Sequence, residues 1–255
     1  MSRAEAIGQA FPAEYRELIR KGVPLVELLS EQELEKLESL VRVLMSEKTF
    51  EGAGGLEVTE EMCVTIAARA CLLVLHRIEL DEPLYPELDT IIVYPSTYRA
   101  RNQRQEGYVV VDDEQARLGE SWTRGMIVLS WDAVQAGGAN PRDAHDVVLH
   151  EFAHQLDAED GAMDGTPELG ALARYGAWSR IAGSEYVALY EAVERHERTT
   201  LDPYGATNAP EFFAVLVEHF FERPGDLASK HPELYRELAA FFRFDPVERL
   251  RARAG

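Results

Sequence analysis

The sequence predicts an α+β fold, in which a small mixed sheet lies between two mostly helical regions. Apolar residues recur at helical spacing before residue 85, and short β-branched runs bounded by Pro, Asp or Gly follow from about residue 90. Helical patterns return beyond residue 140. Because the strands are grouped rather than alternated with helices, repeated βαβ units are not expected.

The N-terminal region is predicted to contain two helices joined by a turn. Ser30 and Glu33 form the capping-box pattern, and the apolar repeat that follows predicts an amphipathic helix over residues 31–47. The glycines of residues 51–55 predict a turn, since neither a preceding strand nor a phosphate-loop pattern accompanies them. Thr59 can then cap a second helix.

The central region supplies the predicted sheet and the start of the C-terminal helices. Runs rich in Val, Ile and Tyr predict strands at residues 90–94, 108–111 and 126–131. Asn140 is followed by Pro141, and Asn caps free N–H groups while Pro suits the first helical position. We therefore expect a helix that runs from this pair through His154.

Composition and charge exclude some classes of function. The chain has 45 acidic and 26 basic residues and a formal charge of -19, which would repel a phosphate backbone, so direct nucleic-acid binding is not expected. No uncharged apolar run approaches the roughly 18 residues of a membrane span. Cys63 and Cys71 are eight positions apart on one predicted helix and cannot pair, which favours the reducing cytoplasm.

The segment His150-Glu151-Phe152-Ala153-His154 is the HExxH pattern of zinc peptidases. On a helix the two histidines project from the same face about 6 Å apart, so both imidazoles can reach one zinc ion at about 2.0–2.1 Å. Glu151 is rotated by about 100° from His150, which lets it reach a water on the metal without being a ligand. We predict one zinc ion per chain, with His150 and His154 as ligands.

A catalytic zinc site needs a third protein ligand, and two known patterns are weak here. A metzincin would place glycine three residues after His154 and histidine six residues after it, but Asp157 and Asp160 stand there, so that class is excluded. An aspartate beside a Gly-Thr pair would be Asp164, which matches only in part. The acids of residues 157–164 do not have the spacing of a calcium loop, and we interpret them as solvated side chains.

The remaining pattern places a glutamate on a separate helix, where Glu211 and Glu218 compete. Glu211 is our preferred ligand, although Asn208 and Glu211 also match a capping box that would turn this carboxylate towards the backbone. Glu218 lies two turns later on the same helical face. It is better suited to orient a ligand imidazole.

The length suits a single catalytic unit with subdomains. We expect one unit over residues 1–255, made of an N-terminal helical part (1–85), the sheet with the HExxH helix (86–160), and a helical C-terminal part with the third ligand (161–255). The substrate of such a unit would be a peptide.

Several segments together resemble the Mlc titration factor A (MtfA) family of zinc peptidases. They lie between about residues 45 and 225 and read HEFAHQLD, NAPEFFAVLVEHFF, FEGAGGLEVTEEM, IAARACLLVL and IIVYP. The resemblance implies a zincin-like, gluzincin-type metallopeptidase fold, related in its core to anthrax lethal factor. It also implies that His150, His154 and Glu211 bind zinc, that Glu151 is the catalytic acid and base, and that the activity is aminopeptidase-like.

The same resemblance singles out Tyr204, seven residues before Glu211. At this separation the family pattern has a tyrosine whose phenol can donate a hydrogen bond to the developing oxyanion. Some members of the family bind the glucose repressor Mlc. The alternative to a working peptidase is therefore a regulatory binding protein that sequesters a transcription repressor and has weak or vestigial peptidase activity.

Overall fold

The computed structural model describes residues 3–96, 105–106, 109–110, 125–140 and 142–254. The chain divides into two compact units. The first comprises residues 1–140 and 146–148, and the second comprises residues 141–145 and 149–255. All the predicted site residues belong to the second unit.

The described part of the first unit contains α-helices and one short 3₁₀ helix. They are α1 (Arg3–Gly8), α2 (Ala13–Gly22), the 3₁₀ helix Pro24–Leu28, α3 (Glu31–Glu47), α4 (Glu60–Val74) and α5 (Trp131–Ala139). The predicted capping box at the start of α3 is confirmed, because Ser30 and Glu33 each accept the other's backbone N–H. Thr59 caps α4 by accepting the Met62 N–H. Both predicted N-terminal helices therefore form.

The strands make two separate sheets rather than the single mixed sheet predicted from the sequence. They are β1 (Thr49–Gly52), β2 (Thr90–Tyr94), β3 (Gln105–Glu106), β4 (Val109–Val110) and β5 (Met126–Ser130). The larger sheet has the order β1-β2-β5 and is parallel throughout, whereas β3 and β4 pair antiparallel. Positions 108 and 111 of the predicted second strand lie outside the described residues.

Strand β1 includes two residues, Glu51 and Gly52, that the sequence predicts to lie in a turn. It pairs in parallel with β2, and α4 connects the two, so this part of the chain is a βαβ crossover that was not expected. The strand has four residues and is mostly exposed, so it shows no alternation of apolar and polar positions that would reveal it. The turn itself is confirmed at Gly54 and Gly55, which have positive φ angles of 62° and 83°.

The helix that carries the HExxH segment, α6 (Val147–Asp157), begins later than predicted. Asn140 caps the end of α5 instead, with its N–H donated to the Ala136 carbonyl, and Pro141 lies outside the described residues. Ala144 has a φ angle of 62°, which no continuous helix allows. The prediction of a helix start at Asn140 is therefore wrong, because Asn140 lies at the C-terminal end of α5 and the chain between it and Val147 is not continuously helical.

A buried ion pair holds the true start of α6. The Asp146 carboxylate accepts the Val148 N–H at 2.9 Å, and its other oxygen lies 3.3 Å from the Arg69 Nε. Arg69 on α4 is 2% exposed and also donates to the carbonyls of Gly22 and Val134. Because these partners satisfy a charge that would be costly to bury alone, Arg69 fixes the first turn of α6 against α4 and α5.

The described part of the second unit is helical. Besides most of α6, it contains the 3₁₀ helices Ala158–Asp160 and Pro203–Ala206, together with α7 (Leu172–Glu194), α8 (Ala209–Glu222), α9 (Pro224–Lys230), α10 (Pro232–Phe242) and α11 (Pro246–Ala254). Helix α8 is its centre, since every residue from 212 to 221 is buried. Edge-to-face contacts of Phe213 with Trp178 and Phe241 pack α7 and α10 against α8.

The helices bear on membrane insertion, and the two cysteines on thiol reactivity. None of the described helices combines the length and apolar character needed to cross a membrane. Cys63 and Cys71 are both free, and burial raises the pKa of each thiol, in the case of Cys63 to about 11. Neither is therefore a reactive thiolate at neutral pH.

Candidate metal centre

Helix α6 presents its two histidines on one face. The ring centroids of His150 and His154 lie 5.0 Å apart with an interplanar angle of 83°. The His150 side chain is completely buried, and that of His154 is 13% exposed. The four-residue spacing thus brings both imidazoles together on one side of α6.

Glu211, in the first turn of α8, completes this arrangement. The Asn208 side chain caps the helix by accepting the Glu211 N–H at 2.9 Å. The Glu211 carboxylate does not point back at the cap but lies 2.9 Å from the His150 Nε2 and 3.5 Å from the His154 Nε2. The sequence left open whether this side chain caps the helix or faces the histidines, and the carboxylate faces the histidines.

The three side chains form a cluster able to hold a metal ion. One ligand atom from each of His150, His154 and Glu211 lies within 4.8 Å of the other two. Among the described residues no second group of three such side chains meets this condition. Two imidazole nitrogens and one carboxylate oxygen are a donor set of catalytic zinc sites, which leave a fourth position open for water or substrate. The residues present therefore fit a zinc ion.

Glu218 lies behind His150. Its Oε1 is 2.8 Å from the His150 Nδ1, and both side chains are almost completely buried. When Nδ1–H donates to this carboxylate, the ring orientation is fixed and Nε2 remains for a metal. Burial alone would lower the pKa of His150, but hydrogen bonds to Glu211 and Glu218 outweigh it and raise the pKa to about 10. Glu218 thus has the orienting position that the sequence suggested.

Glu151 and Tyr204 are the other two predicted site residues. Burial raises the pKa of Glu151 above its ordinary value, while the neighbouring His150 and His154 oppose the rise. Tyr204 is half-buried on the 3₁₀ helix Pro203–Ala206, and its ring centroid is 5.9 Å from that of His150. Asp202 caps this short helix by accepting the Tyr204 N–H at 2.7 Å. The loop tyrosine is therefore beside His150 rather than on a remote surface.

One acid of residues 157–164 is not a solvated side chain, contrary to the prediction from the sequence. Asp157 is completely buried and accepts the Gly165 N–H at 2.8 Å, whereas Asp160 and Asp164 are exposed, as expected. Burial raises the pKa of Asp157 to about 6. Its position three residues after His154 on the same helix could have indicated an inward-facing side chain. Asp164 accepts the Thr166 N–H and is not part of the cluster, so it is not a third ligand here.

Comparison with known proteins identifies relatives over most of the chain. The model of the family described as "Glucose-regulated metallo-peptidase M90" matches residues 1–243. The chain is 40% identical over 238 residues to the uncharacterized protein slr2042 of Synechocystis sp., covering 92% of this chain and 86% of that one. It is 30% identical over 232 residues to Mlc titration factor A of Serratia proteamaculans, covering 89% and 86%, and 29% identical over 236 residues to that of Escherichia coli, covering 89% and 85%.

Proposed function

Because the chain belongs to the family of glucose-regulated metallo-peptidases M90, we propose that it is a zinc-dependent peptidase with aminopeptidase-like activity and a zincin-like fold. The observation that carries the proposal is the cluster of His150, His154 and Glu211, whose ligand atoms lie within 4.8 Å of one another. Two nitrogen donors and one carboxylate oxygen suit zinc, whereas magnesium and calcium prefer sites made of oxygen donors alone. One zinc ion per chain is expected.

The chemistry divides between the metal and the protein. A zinc ion held by these three side chains would polarise the peptide carbonyl and lower the pKa of a water molecule to about 7. Glu151 accepts the proton of the attacking water and delivers it to the departing amine. The raised pKa of Glu151 suits this role, because a carboxylate that binds a proton more tightly than usual is a better base.

Tyr204 donates a hydrogen bond from its phenol to the carbonyl oxygen as negative charge develops there. Its position beside His150 supports this role, and the cap from Asp202 holds its backbone in place. Glu218 keeps His150 oriented during the reaction. These assignments rest on geometry and on the family pattern.

The second candidate is a regulatory function. Relatives named Mlc titration factor A, at 29% and 30% identity, favour binding of a transcription repressor protein. In this role the acidic chain would contact the repressor and not its DNA, because its charge of -19 disfavours nucleic acid. Both roles suit the cytoplasm, where the two free thiols stay reduced.

The test is metal content measured beside hydrolysis of aminoacyl nitroanilides and blocked peptides. Wild type should hold one equivalent of zinc and hydrolyse the unblocked substrates. Glu151→Gln should hold the same zinc and lose hydrolysis, while Glu194→Gln, an exposed change on α7, should leave both unchanged. Zinc without turnover in wild type would favour the regulatory candidate, and retained repressor binding by a zinc-free His150→Ala chain would separate the two functions.

A further inference from the structure

The two histidines of the metal centre are held differently. The Nδ1 of His150 lies 2.8 Å from the Oε1 of Glu218. The corresponding His154 Nδ1 is buried and has no hydrogen-bond partner among the described residues. Because no described residue meets Nδ1 to fix the His154 ring from that side, the position of the ring depends on how the C-terminal end of α6 is held.

Asp157, the last residue of α6, connects the C-terminal end of this helix to Gly165 in the following loop. The Asp157 side chain is completely buried, one turn beyond His154, and its Oδ2 accepts the Gly165 N–H at 2.8 Å. Trp178 donates its indole N–H to the Gly165 carbonyl at 3.1 Å. Both polar groups of the Gly165 backbone are therefore held by buried side chains.

Gly165 in turn packs directly on the start of α8. Its φ angle is 80°, and a Cβ added there would lie 2.4 Å from the Ala209 carbonyl oxygen, closer than any real Cβ contact. Ala209 is the first residue of α8 and stands two residues before Glu211. Only glycine thus permits both this conformation and this approach.

We infer that Asp157, Gly165 and Ala209 form a bridge that sets the separation between His154 and Glu211, and so tunes the affinity of the site for its metal. The bridge joins the end of the helix carrying His154 to the beginning of the helix carrying Glu211. Asp157 is a positioning residue in this account and touches no metal. The inference rests on the proposed function, since it takes His154 and Glu211 to be ligands.

A pair of glycine substitutions isolates the bridge. Gly165→Ala forces Ala209 away, whereas Gly161→Ala adds the same methyl at a similar φ of 89° with nothing within 4 Å. Both carry the strain of a left-handed alanine, but only the first moves the start of α8. The measurements are the zinc Kd, from competition with a chromophoric chelator, and the d–d absorption spectrum of the cobalt-substituted chain.

We expect Gly165→Ala to weaken zinc binding about 10- to 100-fold and to change the cobalt spectrum, as displaced supporting groups do elsewhere. Gly161→Ala should match wild type within about twofold. A folded Gly165→Ala chain with the wild-type zinc Kd and cobalt spectrum would overturn the inference.

If circular dichroism shows that Gly165→Ala does not fold, two substitutions of Asp157 test the bridge instead. Asp157→Ala removes the acceptor for the Gly165 N–H and should weaken zinc binding, whereas Asp157→Asn keeps an acceptor oxygen and should restore most of the affinity. Equal zinc affinity in these two chains would overturn the bridge. A wild-type chain that takes up no zinc would instead overturn the proposed function itself, and the bridge with it, so the two failures are distinguishable.

Discussion

Replacement of Glu218 by glutamine tests how much the Glu218 carboxylate, through its contact with His150, contributes to zinc binding. The Glu218 Oε1 lies 2.8 Å from the His150 Nδ1, and both side chains are at most 1% exposed, so water cannot compensate for the change. A hydrogen bond to a charged group contributes about 1.5–3 kcal/mol and a neutral one about 0.5–1.5 kcal/mol. The difference of about 1–1.5 kcal/mol corresponds to roughly tenfold weaker zinc binding.

The assay is competition with a chromophoric chelator, which gives the zinc Kd without relying on turnover. Glu222→Gln is the matched control, because it lies one turn later on α8 and its carboxylate accepts the backbone N–H of His145, an acceptor role that glutamine retains. Glu218→Gln should bind zinc about ten times more weakly than this control. Equal zinc affinity in the two variants would refute the role assigned to Glu218.

Tyr204, Asp157 and Arg69 each make a contact whose loss can be measured. Tyr204→Phe should lower kcat by about 10²-fold or more and leave the zinc Kd unchanged, measured by steady-state hydrolysis and chelator competition; an unchanged kcat would remove Tyr204 from the mechanism. The folded-state pKa of Asp157 is raised to about 6, so ionisation of this carboxyl lowers the free energy of unfolding as the pH rises from about 4 to 6. In urea unfolding with a chelator present, the free energy of unfolding of Asp157→Asn should exceed that of wild type by up to about 3 kcal/mol above pH 6. Below about pH 4 the two chains should have equal free energies of unfolding. Arg69→Met leaves Asp146 buried without its charged partner and should cost about 3–5 kcal/mol in urea unfolding, whereas the exposed change Arg236→Met should cost under about 0.5 kcal/mol.

The parts of the site that could be predicted are those fixed by local helix geometry. The spacing of His150 and His154 places both rings on one face whatever surrounds the helix, and the structure brings these rings together. The choice among Asp164, Glu211 and Glu218 depends on how separate segments pack, and no local pattern contains that information. Packing places Glu211 at both rings, Glu218 behind His150, and Asp164 in solvent.

The elements that were missed have physical reasons as well. Strand β1 is short and exposed, so its pairing with β2 is stabilised by backbone hydrogen bonds that leave no apolar pattern in the sequence. The Asn-Pro pair at residues 140 and 141 matched a helix start, but Asn140 lies at the end of α5, while α6 starts where Asp146 is fixed by Arg69. Buried Asp157 resembled a solvated loop acid because its partner, Gly165, is a backbone group eight residues later.

Whether one zinc ion is held by His150, His154 and Glu211 can be seen in an anomalous difference map collected at the zinc edge from crystals of the zinc-loaded chain. The proposed zinc site predicts a single strong peak about 2.0–2.1 Å from the Nε2 atoms of both histidines and about 2.0–2.2 Å from a Glu211 oxygen. A peak elsewhere in the molecule, or none in crystals grown with zinc, would contradict it.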